Sequence, residues 1–170
     1  MLFIRVKRKK SSYQYKKDMK VKDSWENNKA RNCEDSIELF DYESMLFTAK
    51  CQTVSNIPGG RYVDTIAPGP FLVRCFVDPR QYKCRPHGLC QTADISGEWI
   101  DDDCTQVTDL KKARFLIHDD RNFSGEITSA CWSAGCFVLR KNDLIALNTI
   151  LEAYNITNKD TIDGELVEVD

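Results

Sequence analysis

Apolar and polar residues alternate in short runs along most of this chain, and a helical period appears only near its end. Met1–Val6 predicts a short strand whose alternation is blurred by Arg5. Lys7–Lys29 is polar and lysine-rich, with Tyr13, Tyr15 and Trp25 spaced through it, and is expected as a long loop or hairpin at the edge. Ser36–Val54 predicts two strands joined by a turn at Asp41-Tyr42-Glu43-Ser44. Ile57-Pro58-Gly59-Gly60 and Ala67-Pro68-Gly69-Pro70 predict turns, because glycine permits positive φ and proline fixes the entry. Between them Arg61–Ile66 reads as a short strand, and Phe71–Val77 as another that ends at Asp78-Pro79.

Cys84–Asp103 is broken by Pro86, Gly88 and Gly97 and carries the acidic run Asp101-Asp102-Asp103. It reads as an irregular insertion, with Ile100 or Val107 marking short strands. Leu110–Ile117 returns to sheet. After Arg140 comes the clearest helix. Asn142 is the expected N-cap, and Asp143 suits the positive helix N-terminus. Leu144, Leu147, Leu151 and Tyr154 make one apolar stripe, widened by Ile145 and Ile150. Asn155 and Asn158 suit its exit, and Gly164–Val169 predicts a closing strand. The expected fold is mainly β in the α+β class, a mixed sheet or sandwich with one main helix.

The chain has 170 residues, which suits one domain. The expected organisation is a basic strand-and-loop region over 1–35 and a core over 36–155. The core holds the cysteine-containing insertion 80–108, and 156–170 is a tail or edge strand. Hydrophobic residues make up 42% and charged residues 29%, enough apolar surface for a packed core. The net charge of -2 argues against a nucleic-acid or membrane-surface binder. The basic run Arg5–Lys22 is then expected as a solvated arm or edge strand, opposite an acidic end over Asp160–Asp170. No run approaches the length of a membrane span. The start, MLFIRVKRKK, has too short an apolar core for an export signal, and its charge follows that core.

Two histidines and eight cysteines carry the candidate chemistry. The stretch Arg114–Arg140 begins as an apolar run ending on His118. It crosses a polar loop and returns at Ser133-Ala134-Gly135-Cys136, followed by the apolar Phe137-Val138-Leu139. A histidine at a strand end and a cysteine in a small-residue turn are the parts of a thiol nucleophile and its base. A strand-end histidine and an inert core thiol would satisfy the same pattern. Cys51 and Cys75 sit inside apolar runs and are expected as small core residues. If Cys136 stays reduced, the remaining seven cysteines, Cys33, Cys51, Cys75, Cys84, Cys90, Cys104 and Cys131, cannot all pair.

Ser133 follows His118 after fourteen intervening residues, 119–132. With Ser133-Ala134-Gly135-Cys136 this resembles the active-site signature of the YkuD-type L,D-transpeptidases, and of related bacterial and phage domains with the same arrangement. The resemblance covers about Thr48–Leu151, with Ile57–Tyr62 and Ala67–Phe71 similar to that family's proline–glycine turns. It implies an L,D-transpeptidase-like sheet with the helix packed after the cysteine. It also implies cysteine-dependent acyl transfer or hydrolysis on peptidoglycan peptide stems, acting at the cell envelope without a cofactor. Cys136 would be the nucleophile and His118 the general base, with Ser133 orienting the histidine or the turn. Backbone N–H groups at Gly135 and Cys136 would hold the oxyanion. Arg114, Arg121 or Arg140 could hold a substrate carboxylate.

Other readings stay open. Cys84, His87, Cys90 and Cys104 could hold a structural zinc, although the usual pair of close-spaced cysteine knuckles is incomplete. A Cys84–Cys90 or Cys90–Cys104 disulfide, or thiols throughout, are the alternatives. Cys131 could act as a resolving thiol. The domain could also be a catalytically silent wall-binding or structural module, or a cysteine hydrolase of some other amide.

Overall fold

The computed structural model describes residues 1–10, 35–53, 65–76, 91–100, 106–107, 115–119, 136–157 and 160–170. Along the chain these form β1 (Leu2–Lys9), β2 (Asp35–Asp41), β3 (Ser44–Gln52), β4 (Thr65–Cys75) and β5 (Gln91–Ile100). There follow β6 (Gln106–Val107), β7 (Phe115–Asp119), β8 (Phe137–Leu139), helix α1 (Lys141–Ala153) and β9 (Thr161–Val169). The protein is therefore mainly β with a helix, as its alternation predicts.

Among the described residues, all nine strands belong to one mixed sheet in the order β4-β9-β1-β2-β3-β8-β7-β5-β6. An additional pairing of β4 with β5 joins the two sides, so the first eight strands of that order form a closed ring. The pairs β1–β9 and β7–β8 are parallel, and the remaining pairs are antiparallel. Closure gives most strands a partner on each side and removes exposed edges. β9 lies between β4 and β1, which corrects the expected C-terminal edge strand.

Period-two burial decides which way each strand faces. On β1, Ile4, Val6 and Arg8 are buried while Phe3, Arg5 and Lys7 are partly exposed. The register carries this face around the ring. Ile4 lies opposite Leu39 and Gly164, Val6 opposite Ile37 and Leu166, and Ile37 opposite Ala49. Cys51 lies opposite Leu139.

Arg8 corrects the reading of the basic run as wholly solvated, because it is 0% exposed on the inward face of a strand paired on both sides. Its Nε donates to Thr53 Oγ1 at 2.8 Å, Nη1 to the Ile66 carbonyl at 2.8 Å and Nη2 to the Thr53 carbonyl at 3.0 Å. Thr53 Oγ1 in turn donates to Asp35 Oδ2 at 2.6 Å, and Asp35 Oδ1 accepts the Lys9 backbone N–H at 2.7 Å. A buried guanidinium is tolerable only when its donors and its charge are answered in this way.

Two further expectations are overturned. Ala67-Pro68-Gly69-Pro70 does not turn the chain. It lies inside β4 as an irregularity between Ile66 and Phe71 in the pairing with β5, with Gly69 at φ 130°. Proline has no N–H to give a ladder, and such a bulge is where a sheet accommodates it. Gln91–Ile100, read as part of an irregular insertion, is a strand, and it pairs with β4, β6 and β7. The hairpin turn between Asp41 and Ser44 is where the sequence places it.

Helix α1 is capped by Arg140, not Asn142. Arg140 is the N-cap with extended backbone and no side-chain cap bond, and Asn142 falls in the first turn. Leu144, Leu147 and Leu151 are fully buried and join the core cluster with Ile4, Leu39, Cys51, Ile117, Phe137 and Leu139. The stripe is narrower than predicted, since Ile145 is 40% and Tyr154 42% exposed, while Asn148 is buried. Asn155 leaves the helix at φ 59°, a left-handed exit that asparagine tolerates.

Cys51 and Cys75 are buried thiols, as expected of core cysteines. Loss of solvation pushes the Cys75 thiol up to about 12, and the nearby Asp160 charge adds to this. In the unfolded chain the thiol ionises near its ordinary value of about 8.5. The folded state therefore holds the proton longer, so its contribution is complete below that value and is lost as pH rises toward the folded value. Stability should fall from about pH 9 upward, by up to about 1.4 kcal/mol per pH unit from this group. Urea titrations from pH 8 to 11 should show a shallower fall for Cys75→Ala than for the wild type.

Candidate active site

β7 and β8 are short, apolar and parallel. Their register sets Ile117 opposite Phe137, His118 opposite Val138 and Asp119 opposite Leu139. Residues opposite each other share a face of a sheet. Ile117, Phe137 and Leu139 turn into the core cluster with the leucines of α1. Val138 is buried but lies outside that cluster, and His118 shares its face. Cys136 immediately precedes β8, two residues before Val138. His118 thus lies on β7, and Cys136 just ahead of the strand paired with it.

Their environments differ in a useful way. His118 is 6% exposed, whereas Cys136 is only partly buried and is a thiol. The His118 Nδ1 lies 2.9 Å from the Asp119 carbonyl oxygen. A carbonyl can only accept, so this contact requires the proton on Nδ1 and leaves the lone pair on Nε2. The imidazole is then oriented by backbone. Its own strand thus supplies both the ring and the group that fixes its tautomer.

Gln52 was not read as a site residue. It is fully buried at the end of β3, directly opposite Val138. His118 and Gln52 therefore flank Val138 from its two sides. The available signal was a glutamine ending the apolar run that starts at Met45. Asp119, likewise unread, is buried to 1% and lies opposite Leu139.

Arg140 is the N-cap of α1. Its Nε donates to Asp143 Oδ2 at 2.6 Å, an exposed pair within the first turn that directs the guanidinium along the helix. Ser133, Gly135, Arg114 and Arg121 lie outside the described residues, as do Cys84, His87, Cys90, Cys104, Cys33 and Cys131. Among the described residues no three His, Cys, Asp or Glu side chains converge as metal ligands, and no helix is long and apolar enough to cross a membrane.

No family model and no solved structure matches the chain. It is 37% identical over 177 aligned residues to an uncharacterised protein of Treponema pallidum (strain Nichols), an alignment that covers 97% of this chain and 79% of that protein. At that identity and coverage, the chain belongs to the same family as the uncharacterised treponemal protein.

Proposed function

We propose that this protein is a cysteine-dependent acyltransferase or hydrolase of the L,D-transpeptidase type, acting on peptidoglycan stem peptides at the cell envelope. What supports this reading is the parallel β7–β8 pairing, which seats His118 opposite Val138, two residues after Cys136, with the imidazole held through Nδ1. In this reading Nε2 of His118 takes the Cys136 proton. The thiolate attacks a stem-peptide carbonyl, and a tetrahedral oxyanion forms against backbone N–H groups at Gly135 and Cys136. His118 then delivers the proton to the departing amine, leaving a thioester on Cys136. An acceptor amine resolves the thioester into a cross-link, and water resolves it into a trimmed stem. Ser133 supports the histidine or the turn, and Arg114, Arg121 or Arg140 binds a substrate carboxylate.

The test is incubation with purified peptidoglycan fragments, read by mass spectrometry. The wild type should produce cross-linked or trimmed stems, and Cys136→Ala should produce none. His118→Ala should lose at least about a hundredfold in rate, the lower range for general base catalysis. An unchanged fragment profile with the wild type, alongside retained binding, would instead assign the domain to non-catalytic wall binding.

A further inference from the structure

The β2–β3 hairpin closes with a two-residue loop, Tyr42-Glu43, between the paired Asp41 and Ser44. Its first position has φ 51°, a left-handed conformation that glycine, asparagine or aspartate normally fills in such turns. A bulky residue there is a backbone outlier that needs a reason. Packing does not provide one, because Tyr42 is 75% exposed. Its ring lines a half-open groove of about 400 Å³ together with Met1, Phe3, Arg5, Phe40 and Glu43. Phe3 and Phe40 are directly opposite on β1 and β2, and Met45, 55% exposed, extends the row across β3.

The electrostatics of this groove favour a cation. Three aromatic residues meet there, and ring faces attract positive charge. The Arg5 guanidinium already lies over the Phe40 ring at 5.3 Å. Its charge is answered within the fold, since Nε donates to Glu165 Oε1 at 2.7 Å, and the Met1 ammonium, which also lines the groove, donates to Asp41 Oδ1 at 2.7 Å. Among the described residues, the Glu43 carboxylate at the rim makes no ion pair or hydrogen bond. A further cation would therefore meet the exposed ring of Tyr42 and an uncompensated carboxylate.

We propose that this groove binds the guanidinium or ammonium side chain of a basic peptide segment, with Tyr42 as the aromatic platform and Glu43 as the counter-charge. The site lies at the Ser44 end of β3, whereas Cys136 adjoins the Gln52 end, so it stands apart from the candidate thiol chemistry. The positive φ at Tyr42 is then the conformational cost of holding a ring on the hairpin tip.

The probe is N-acetylarginine amide, with its neutral isostere N-acetylcitrulline amide as control, titrated into the full chain and followed by heteronuclear NMR. The backbone amides of Phe3 and of Phe40 through Ser44 should shift saturably with the arginine compound, and the citrulline compound should bind about tenfold more weakly. Glu43→Gln should weaken arginine binding about threefold, and Tyr42→Gly should do so by a similar factor while raising the thermal midpoint. Cys136→Ala should bind like the wild type. Equal shifts from the two probes, no saturable shift, or undiminished binding by Tyr42→Gly would overturn the proposal.

Discussion

Arg8→Met should lower the unfolding free energy by about 3–5 kcal/mol, the usual loss when a charge is removed from a buried hydrogen-bonded network. The substitution keeps most of the apolar stem but deletes three donors. Thr53 Oγ1, the Thr53 carbonyl and the Ile66 carbonyl lose their guanidinium bonds. Asp35 keeps its bonds from Thr53 and Lys9, but Thr53 no longer links it to a guanidinium. Since a domain has only about 5–15 kcal/mol of net stability, the variant should be marginal. Lysine should not rescue it, because one ammonium cannot present the planar fork that reaches three acceptors. The double variant Arg8→Met/Asp35→Leu should lose less than the sum of its single changes, as removal of both charges leaves none buried alone. Urea midpoints for the four proteins measure this. A loss below about 1 kcal/mol for Arg8→Met would place the network among ordinary surface pairs.

Gly164→Ala should be the second damaging change. A methyl group there would stand within 2.3 Å of Phe71 Cε2, 2.6 Å of Cζ and 2.8 Å of the Ile4 carbonyl oxygen. The ring could swing aside, but the carbonyl belongs to β1 and is fixed by the ladder. Phe71 also packs edge-on against Phe137, the first residue of β8 beside Cys136, with centroids 5.8 Å apart. Overpacking at such a site typically costs about 1–3 kcal/mol. Phe71→Ala should cost about 3–5 kcal/mol by leaving a cavity. Because both act through one ring, the double variant should fall short of the sum, though the Ile4 carbonyl keeps part of the Gly164→Ala penalty. Denaturation midpoints would expose full additivity, which would contradict the ring contact.

What could be read from the sequence divides along local and non-local physics. The hairpin at Asp41–Ser44 and the leucine stripe of α1 are set by neighbours in sequence, and both are found. Arg8 was legible in principle, since it falls on the inward parity of Ile4 and Val6, but the lysines around it gave the run a solvated look. Proline and glycine misled in β4 because a bulge and a turn draw on the same residues, and only the partner strand tells them apart. Ring closure by β4 and β5, and the seat of β9 between β4 and β1, depend on pairings between distant segments that no local pattern encodes. At the site, His118 and Cys136 were visible as residue types at strand ends. The register that sets His118 opposite Val138, two residues after Cys136, and the buried Gln52 beside Val138, emerge only with the sheet assembled.

The most direct test of the proposed thiol chemistry is the rate at which Cys136 is alkylated in the native protein near neutral pH, mapped by peptide mass spectrometry. The account predicts that Cys136 reacts well ahead of Cys51 and of Cys75, whose ionisation burial opposes, and that His118→Ala removes the advantage. Alkylation of Cys136 no faster than the other thiols, or at a rate indifferent to His118, would contradict it.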